Sequence, residues 1–262
     1  MRAKRLYLWL ALLALIILVT VAAPLLSHAD PLYAASGESL RRPSVDHLLG
    51  TDLIGRDVFS RLLYGGRQSL GSAALTTLLA VIPGTALGVL VGYYGGWADA
   101  LIGVMIDALL AIPGLLTALL VVSVLGSGRG QIALAIGLAG LPPVVRVSRS
   151  AARSVRQQPY VEAARSLGAR IPAILIRHIL LNMLPVVASY AAVTFSWALL
   201  NGAALAFLGF TADPATPDWG VLLAAGRQVL PIAPWTAFAP GAALTITIFI
   251  VNRLADSLAD QS

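Results

Sequence analysis

The sequence predicts an all-α integral membrane protein with six transmembrane helices. Of its 262 residues, 58% are hydrophobic and only 11% are charged, and the mean hydropathy of +0.84 is far above that of a soluble domain. Six apolar runs, most of them long enough to cross a bilayer, are separated by polar segments. The composition and the runs together indicate that the chain lies in a lipid bilayer.

The first apolar run covers residues 6–26 and follows the basic sequence MRAKR at residues 1–5. A cleaved signal peptide would have an apolar core of about 7–15 residues, whereas this run is about twenty residues long. We therefore predict a retained first span. The polar segment 27–69 that follows carries five acidic residues and five arginines, so these charges balance.

Five further apolar runs follow this polar segment. They cover 70–94, 101–125, 132–147, 184–208 and 238–254. The third of these is short, and Pro142 and Pro143 are expected to break or kink its cytoplasmic half, because proline lacks a backbone N–H. The predicted organisation is an N-terminal tip, first span and outer loop at 1–69, a five-helix core at 70–256 and a short tail at 257–262.

The distribution of charge predicts the orientation in the membrane. The segment 146–185 carries seven arginines against the single acid Glu162, and residues 1–5 carry three basic side chains. The segments on the opposite side show no excess of positive charge. Because basic loops tend to remain in the cytoplasm, both termini and the segment 146–185 are expected to be cytoplasmic.

Several activities are disfavoured by residues that the chain lacks. Lys4 is the only lysine, so a phosphate-binding loop of the G-x-x-x-x-G-K-[ST] type cannot occur, and any nucleotide that drives the function binds to another subunit. Cysteine is absent, and His28, His47 and His178 lack the spacing of metal ligands. The arginines lie between apolar runs, which fits membrane topology better than nucleic-acid binding. No catalytic, cofactor or metal site is predicted.

Asp107 is an ionisable residue inside a predicted span, in the sequence MIDALLAIPG. Such groups normally face the interior of a helix bundle or water. One interpretation is a contact with a substrate or coupling ion. The alternative, which the position near the cytoplasmic end favours, is a carboxylate that is solvated or paired. Asp107 therefore stands as a possible intramembrane polar site.

The segment 159–185 has the pattern of a short helix, a turn and a second helix. Pro159 suits a first helical turn and Gly168 suits a left-handed stop, while Pro172 can open the second helix toward Pro185. Four residues at helical spacing form a narrow apolar stripe on the first helix. They are Tyr160, Ala163, Ala164 and Leu167. The pattern alone favours a connector on the membrane surface, and a docking surface for a soluble partner is the alternative.

Two outer segments are predicted to be structural. Five charged residues within 50–70 are expected to form an ion-pair network that folds the outer loop against the bundle, or else meets a soluble partner. They are Asp52, Arg56, Asp57, Arg61 and Arg67. The structural role is favoured, because the four glycines between them indicate a packed, turning loop. Within 209–237, Pro214, Pro217 and Trp219 indicate a rigid outer cap with an interfacial aromatic side chain.

Five separated stretches of the chain resemble one family. They are GTDLIGRDVFSRLLYGGRQSL at 50–70, GYYGGWADALIGVMIDALLAIPGLL at 92–116, YVEAARSLGA at 160–169, LAFLGFTADPATPDWGVLL at 205–223 and APWTAFAPG at 233–241. In this order they are similar to the dipeptide/oligopeptide/nickel class of bacterial ABC-importer permeases, and to its second, C-type, permease. The resemblance runs from about residue 50 to residue 256.

The resemblance implies a type I ABC-importer permease (MetI-like) fold and a non-enzymatic transport subunit in the bacterial cytoplasmic (inner) membrane. The family's motif of E-A-A, three residues and G corresponds here to Glu162, Ala163, Ala164 and Gly168. The motif implies that the coupling loop 150–183 contacts a separate ATPase subunit. Together with Tyr160 and Leu167, these residues form the predicted ATPase-subunit interface.

The resemblance also implies the other partners. A homologous permease would form a heterodimer with this chain, and two ATPase subunits would bind ATP and Mg²⁺. An extracytoplasmic binding protein would deliver a di- or oligopeptide, or a chelated metal such as nickel. This chain itself would bind no cofactor and no nucleic acid.

Two rival functions make different demands on the sequence. A stand-alone secondary transporter or channel predicts charged residues in several spans and discontinuous helices. A membrane-embedded enzyme needs clustered acidic, histidine or Ser–Lys groups within the spans, and the sequence shows none. The transporter or channel is kept as the alternative.

Three positions depart from the family pattern. Leu181 stands where the family has the proline of H-I-L-P-N, so we expect the second helix to continue unbroken toward Asn182. Ala255 and Ala259 replace a glycine and an arginine in the C-terminal motif, which weakens any role for that segment. None of these changes falls on the E-A-A positions.

Overall fold

The computed structural model describes residues 2–35 and 37–260, with side chains from residue 6 onward. The described residues form helices and one isolated β-bridge, between Thr51 and Asp57, so the all-α prediction is confirmed. The helices are α1 (Arg2–Val21), α2 (Ala23–Leu26), α3 (Val58–Tyr94), α4 (Gly96–Leu110), α5 (Gly114–Leu125), α6 (Arg129–Arg156), α7 (Pro159–Ser166), α8 (Ile171–Ala173), a π-helix (Ile174–Leu180), α9 (Leu181–Phe207), α10 (Trp219–Gln228) and α11 (Trp235–Ala259). The side chains of the basic tip at 1–5 and the last two residues of the tail lie outside this description.

Four helices of the described chain are long and apolar enough to cross a membrane. They are α3, α6, the continuous stretch Ile171–Phe207 and α11. The pair α4 and α5 qualifies together as a fifth span, bent by 87°. The first predicted span, 6–26, corresponds to α1 and α2, and the described apolar part of α1, Leu6–Val21, is shorter than a full span. The chain is therefore a multi-pass membrane protein.

The predicted span 101–125 is wrong as a single helix, because α4 ends at Leu110 and α5 begins at Gly114. Pro113 has no N–H to bond the preceding turn, and its ring restrains Ile112. The chain therefore turns sharply between the two helices. Gly114 then abuts Trp197 of α9, since a Cβ at Gly114 would lie 2.8 Å from the indole Cζ2.

The predicted break at Pro142 and Pro143 is absent, because α6 continues through both prolines, and the alternative of a kink there stays a prediction. Neighbouring helices compensate for the hydrogen bonds that a proline removes from a membrane-spanning helix, and α3 packs beside α6 along most of its length. The C-terminal part of α6 consequently extends beyond the apolar run and presents three arginines. They are Arg149, Arg153 and Arg156.

The contact between α3 and α6 depends on small residues. A glycine occurs at every fourth position near the end of α3, so the two backbones approach closely along one face. A Cβ at Gly88 would lie 2.6 Å from the Ser148 Cβ, and one at Gly92 would lie 2.6 Å from the Arg149 carbonyl oxygen. The helices run in the same direction. Gly84 faces Val144, Gly88 faces Ser148 and Gly92 faces Ala152.

Two hydrophobic clusters divide the bundle. The larger cluster fills the half that contains the start of α3, with α5, α6, α9 and α10, and we call this half the outer end. The smaller cluster lies at the opposite half, which we call the inner end, and it joins α3, α6, α7, the π-helix and α9. Its buried members are Val89, Tyr93, Ala152, Val161, Ile174, Ile179 and Met183.

The outer segments contain more helix than the sequence indicated. α3 begins at Val58 rather than near residue 70, because the Asp57 carboxylate caps it by accepting a hydrogen bond from the Ser60 N–H at 2.7 Å. The predicted loop 209–237 contains α10. Trp219 in that helix is only 2% exposed, so the expected interfacial tryptophan is in fact a core residue.

Candidate functional site

The helix α7 and its turn have the local structure that the sequence predicts. Pro159 opens the helix, and the acid of its first turn, Glu162, complements the positive end of the helix dipole. After Ser166 the Ala169 N–H donates to the Ala164 carbonyl and the Gly168 N–H to the Arg165 carbonyl, both at 3.0 Å. This is a Schellman motif, and it requires the left-handed φ of +79° at Gly168.

The residues of the predicted interface lie together on and just after α7. Tyr160 is 43% exposed and Leu167 is 88% exposed, while the side chain of Ala164 is half-buried. The remaining members are exposed, namely Glu162, Ala163 and Gly168. A leucine with so little cover is unusual at the polar end of a bundle, so this face of α7 is available for contact.

A buried valine outside the predicted apolar stripe holds α7 on the bundle. Val161 is fully buried and belongs to the inner hydrophobic cluster. It is the only β-branched residue of α7, and a helix that docks on its own chain needs an inward residue as well as an outward stripe. The need for an inward-facing residue was therefore the sequence signal that could have identified Val161. Val161 makes α7 part of the bundle rather than a free connector.

Tyr93, at the end of α3, contacts two arginines from different elements. The Arg156 Cζ atom, at the end of α6, lies 5.9 Å from the centre of the tyrosine ring, and the Arg165 Cζ atom, in α7, lies 5.6 Å from it. Arg165 Nη2 also donates to the Tyr93 hydroxyl at 3.4 Å. Tyr93 is 6% exposed. Three elements therefore meet at one buried ring.

The second helix of the predicted helix–turn–helix continues directly into a span. Pro172 opens it, and the chain stays helical from Ile171 to Phe207 without ending at Pro185. The expectation for Leu181 is confirmed, because the helix continues past it. The first turns form a π-helix, in which Ile174 and Ile179 are buried. A displacement of the π-helix would therefore pass directly into α9.

Asp99 is the centre of a buried ion-pair cluster that joins α4 to α6. Its side chain is 4% exposed, and its carboxylate accepts hydrogen bonds from the guanidinium groups of Arg149 and Arg153. Arg149 Nη2 also donates to the Asp99 carbonyl at 2.9 Å. Gly103 leaves room for this guanidinium, since a Cβ there would lie 2.9 Å from Arg149 Nη1. The sequence pattern did not single out Asp99.

Asp107, the possible intramembrane polar site, forms an ion pair with Arg146 of α6. Unlike the Asp99 cluster, this pair is uncovered within the chain, with the Asp107 side chain 63% exposed and that of Arg146 56% exposed. Asp107 lies on α4 one turn before the bend to α5. This geometry agrees with the interpretation in which the Asp107 carboxylate is paired. A contact between Asp107 and a substrate or coupling ion remains a prediction.

The charged outer residues fold the segment before α3 against the bundle. The Arg56 Nε donates to the Asp52 carboxylate at 2.7 Å, and the buried Arg61 donates through Nη1 to the Pro31 carbonyl at 2.9 Å. Asp57 caps α3, as described above, and within the described chain Arg67 forms no ion pair. These contacts match the structural role that the sequence favoured. No group of three or more possible metal ligands occurs among the described residues.

His47 joins this outer network, which the sequence did not indicate. Its Nδ1 lies 3.0 Å from the Asp57 carboxylate and its Nε2 lies 3.1 Å from the Glu38 carboxylate. The hydrogen bond with Asp57 raises the pKa of His47 above its usual value, and the bond with Glu38 acts in the same direction. A loop residue is thereby tied both to α3 and to another part of the loop.

Ser69 and Asp218 connect the outer cap to α3. The Ser69 hydroxyl donates to the Asp218 carboxylate at 2.7 Å and accepts from the Trp219 N–H at 3.0 Å. Asp218 also caps α10 through the Gly220 N–H, and burial raises the pKa of its carboxyl. Beside it, between α3, α6 and α9, lies a cavity of about 60 Å³, which has room for only a few water molecules.

Comparisons with known proteins agree on one family. Residues 84–261 match the family described as binding-protein-dependent transport system inner membrane component. The chain is 37% identical over 244 residues to the dipeptide transport system permease protein DppC of Alkalihalophilus pseudofirmus, an alignment that covers 93% of this chain and 80% of that protein. It is 39% identical over 218 residues to the glutathione transport system permease protein GsiD of Pectobacterium atrosepticum, with 83% and 72% covered. It is 41% identical over 244 residues to the probable peptide ABC transporter permease protein y4tQ of Sinorhizobium fredii, with 93% and 83% covered.

Proposed function

We infer the function of this chain from its family, because it belongs to the family of binding-protein-dependent transport system inner membrane components. It is therefore a non-enzymatic permease subunit that works with ATPase and substrate-binding components. We propose that it forms half of a peptide-translocation path and is coupled to an ATPase through α7. The names of its relatives support peptides as the substrate class, since they specify dipeptide, glutathione and peptide transport. No relative among these three is named for nickel.

The exposed surface of α7 and its C-cap, with Tyr160, Glu162 and Leu167, is the proposed ATPase contact. One observation supports it above the others: these exposed residues lie on a helix that the buried Val161 fixes to the bundle. A helix resting on lipid would turn its most apolar residues toward the bilayer and be held by it. Here α7 is held by the contact of Val161 with the bundle, and the Leu167 side chain remains exposed. The geometry therefore favours docking over the membrane-surface connector.

The proposed coupling uses rigid contacts within this chain. ATP and Mg²⁺ bind to the partner ATPases, and closure of those subunits displaces α7. Val161 and the Tyr93 ring transmit the displacement to α3 and α6, while the π-helix transmits it to α9. Movement of these helices switches the path between its inward-facing and outward-facing states. This chain contributes positions and contacts, and no chemical step.

The assembly and orientation are part of the same proposal. A homologous permease completes the path as a heterodimer, two ATPase subunits dock at the inner end, and a binding protein delivers the substrate at the outer end. The excess of arginine at the inner end supports cytoplasmic termini.

The alternative of a stand-alone transporter or channel predicted discontinuous helices, and the bend between α4 and α5 is one such feature. The second expected feature was charge in several spans. Within the described chain, the two acids of α4 are paired instead with Arg146, Arg149 and Arg153 of α6. With the family established, the bend is an element of an importer subunit rather than support for that alternative.

The proposal is tested by replacing Ala164 with arginine. The bulky, charged side chain is expected to prevent the ATPase groove from closing on α7, so that ATP hydrolysis no longer drives import. The assembled transporter, reconstituted with its binding protein, is measured for peptide import and for ATPase activity stimulated by loaded binding protein. Ala259→Arg, at an exposed position at the end of α11 and outside the coupling loop, is the matched control. Normal stimulated ATPase activity and import in Ala164→Arg would refute the coupling role of α7.

A further inference from the structure

The acidic residues of α4 and the basic residues of α6 form a ladder of charge. Asp99 and Asp107 lie two turns apart on α4, with Gly103 midway between them. The basic partners on α6 are spaced at i, i+3 and i+7, so they share one face of that helix. They are Arg146, Arg149 and Arg153. The ladder is covered at one end and open at the other.

The covered end is the Asp99 carboxylate, which is 4% exposed and bonded to two guanidinium groups. At the open end, more than half of each side chain of the Asp107–Arg146 pair is exposed. The bend after Leu110 carries α5 away, so no segment of the described chain lies over this pair. What covers it in the assembled protein must come from outside the described residues.

The open pair lies at membrane depth. α6 has 28 residues and is about 42 Å long, whereas the hydrocarbon core is about 30 Å thick. Arg146 lies at the end of the apolar run 132–147, and a hydrocarbon core of about 30 Å centred on that run ends near residue 149, which places Arg146 about 5 Å inside the core. Charged groups at such depth face protein or water rather than lipid.

We propose that the Asp107–Arg146 pair lines a water-filled part of the translocation path at its inner end. This inference rests on the proposed function, because the path is completed by the homologous permease. A dry contact with that permease would bury both charges without further hydrogen-bond partners, at a large desolvation cost. Water avoids that cost. The pair then offers adjacent positive and negative charge to a zwitterionic solute such as a peptide.

Thiol labelling tests the proposal, and the natural chain is suited to it because it contains no cysteine. Ala111 is exposed, and its N–H bonds the Asp107 carbonyl one turn away, so Ala111→Cys reports on the face beside the pair. The reagent is a membrane-impermeant, positively charged methanethiosulfonate, added to the medium outside inverted vesicles, where the cytoplasmic face of the assembled transporter is exposed, in the absence of nucleotide. Labelling is normalised to the same variant unfolded in detergent.

The matched control is Ala86→Cys on α3. Since Gly84 faces Val144 and Gly88 faces Ser148, Ala86 lies at the depth of Arg146. It is exposed in an otherwise apolar groove with Ile82, Leu90 and Leu175 among its lining residues. The two variants therefore share the residue type and differ in depth by only about one helical turn, so they differ mainly in the surface they report on.

Ala111→Cys is expected to react about tenfold faster than Ala86→Cys or more, because the reactive thiolate forms in water and not in hydrocarbon. Equal, slow labelling of the two in vesicles that still import would overturn the proposal. If Ala111→Cys fails to assemble, Val104→Cys replaces it in the labelling experiment. Val104 lies one turn before Asp107 on α4 and is 68% exposed. Absence of ATP-driven import by the unmodified transporter would refute the proposed function instead, and it would leave the labelling ratio measurable.

Discussion

A single side chain, that of Tyr93, connects α7 to the two spanning helices α3 and α6. It lies at the end of α3, and its ring is approached by Arg156 from α6 and by Arg165 from α7. A cation–π contact contributes about 0.5–1 kcal/mol at an exposed site and more where water is excluded. Two such contacts at a buried ring fix the position of α7 relative to α3 and α6, as coupling requires.

Replacing Tyr93 with leucine is expected to lower the number of peptides imported per ATP hydrolysed, because α7 then moves without displacing α3 and α6. Tyr93→Phe keeps the ring and loses only the weak hydrogen bond of the hydroxyl, so its coupling ratio should stay close to the unmodified value. The measurement is import and ATP hydrolysis in the same proteoliposomes, with the melting temperature as a check on folding.

Tyr94→Leu is the control for this experiment, because the neighbouring tyrosine is 59% exposed and has no arginine over its ring among the described contacts. Both leucine variants remove an aromatic side chain from the same turn of α3. The role assigned to Tyr93 would be wrong if the two variants gave the same coupling ratio.

Local pattern was enough to predict the outward face of α7, and it was insufficient for the inward contacts. Tyr160 and Leu167 were identified because helical periodicity is a property of neighbouring residues. The cluster at Asp99 depends on Arg149 and Arg153, which are about fifty positions away in the chain. No periodicity relates residues so far apart, so these pairs required the fold. The six interface residues themselves remain a prediction about a partner.

Among the helices, proline alone did not decide where a span breaks. α6 contains Pro142 and Pro143 without interruption, whereas the chain bends sharply beside Pro113. The difference is the neighbouring element. α6 packs against α3 along a continuous face, whereas Pro113 lies where α4 and α5 meet separate parts of α6. The sequence identified the apolar runs correctly, and only tertiary contact determines which proline is accommodated.

The glycines of α3 are expected to determine whether α3 and α6 can pack at all. Gly88→Leu should lower stability by about 1–3 kcal/mol or more, because even a Cβ would lie 2.6 Å from Ser148 and 2.8 Å from the Val145 carbonyl. Gly71→Leu is the matched change on the same helix, at an exposed glycine where an added Cβ would have no packing neighbour within 4 Å. It should leave stability unchanged or raise it by about 1 kcal/mol through helix propensity.

Thermal unfolding of the two leucine variants in the same detergent compares these effects. A melting temperature that falls for Gly88→Leu and holds for Gly71→Leu would support close packing between α3 and α6. Equal losses would contradict it, and would indicate instead that α3 tolerates no added side chain on either face.

At the scale of the whole molecule, composition and charge were enough to predict the class of protein. The features that the sequence did not predict depend on the partner proteins of this chain. The low charge content and the apolar runs sufficed for an all-α membrane protein, and the arginines of 146–185 gave the expected orientation. The bend between α4 and α5 and the open pair at Asp107 become interpretable only when a second permease is considered.

The predicted orientation places His47 outside the cell membrane, where the pH varies more than in the cytoplasm. The carboxylates of Asp57 and Glu38 face its two ring nitrogens, and Arg41 in turn contacts Glu38 at 3.2 Å. The hydrogen bond to Asp57 raises the pKa of His47 above its ordinary value of about 6.5. A raised pKa in the folded state means that the stabilisation is complete below the unfolded pKa and is lost as the pH rises through the folded pKa.

The outer segment 27–57 should therefore be held more tightly at pH 5.5 than at pH 8. Amide hydrogen exchange, corrected for the intrinsic effect of pH on the chemical exchange rate, is expected to slow in this segment on acidification. His47→Gln should abolish that dependence, because glutamine cannot gain a proton between Asp57 and Glu38. His28→Gln, at an exposed position of the same segment, should preserve it. Protection that increases with pH, or an unchanged dependence in His47→Gln, would show that another group controls the outer segment.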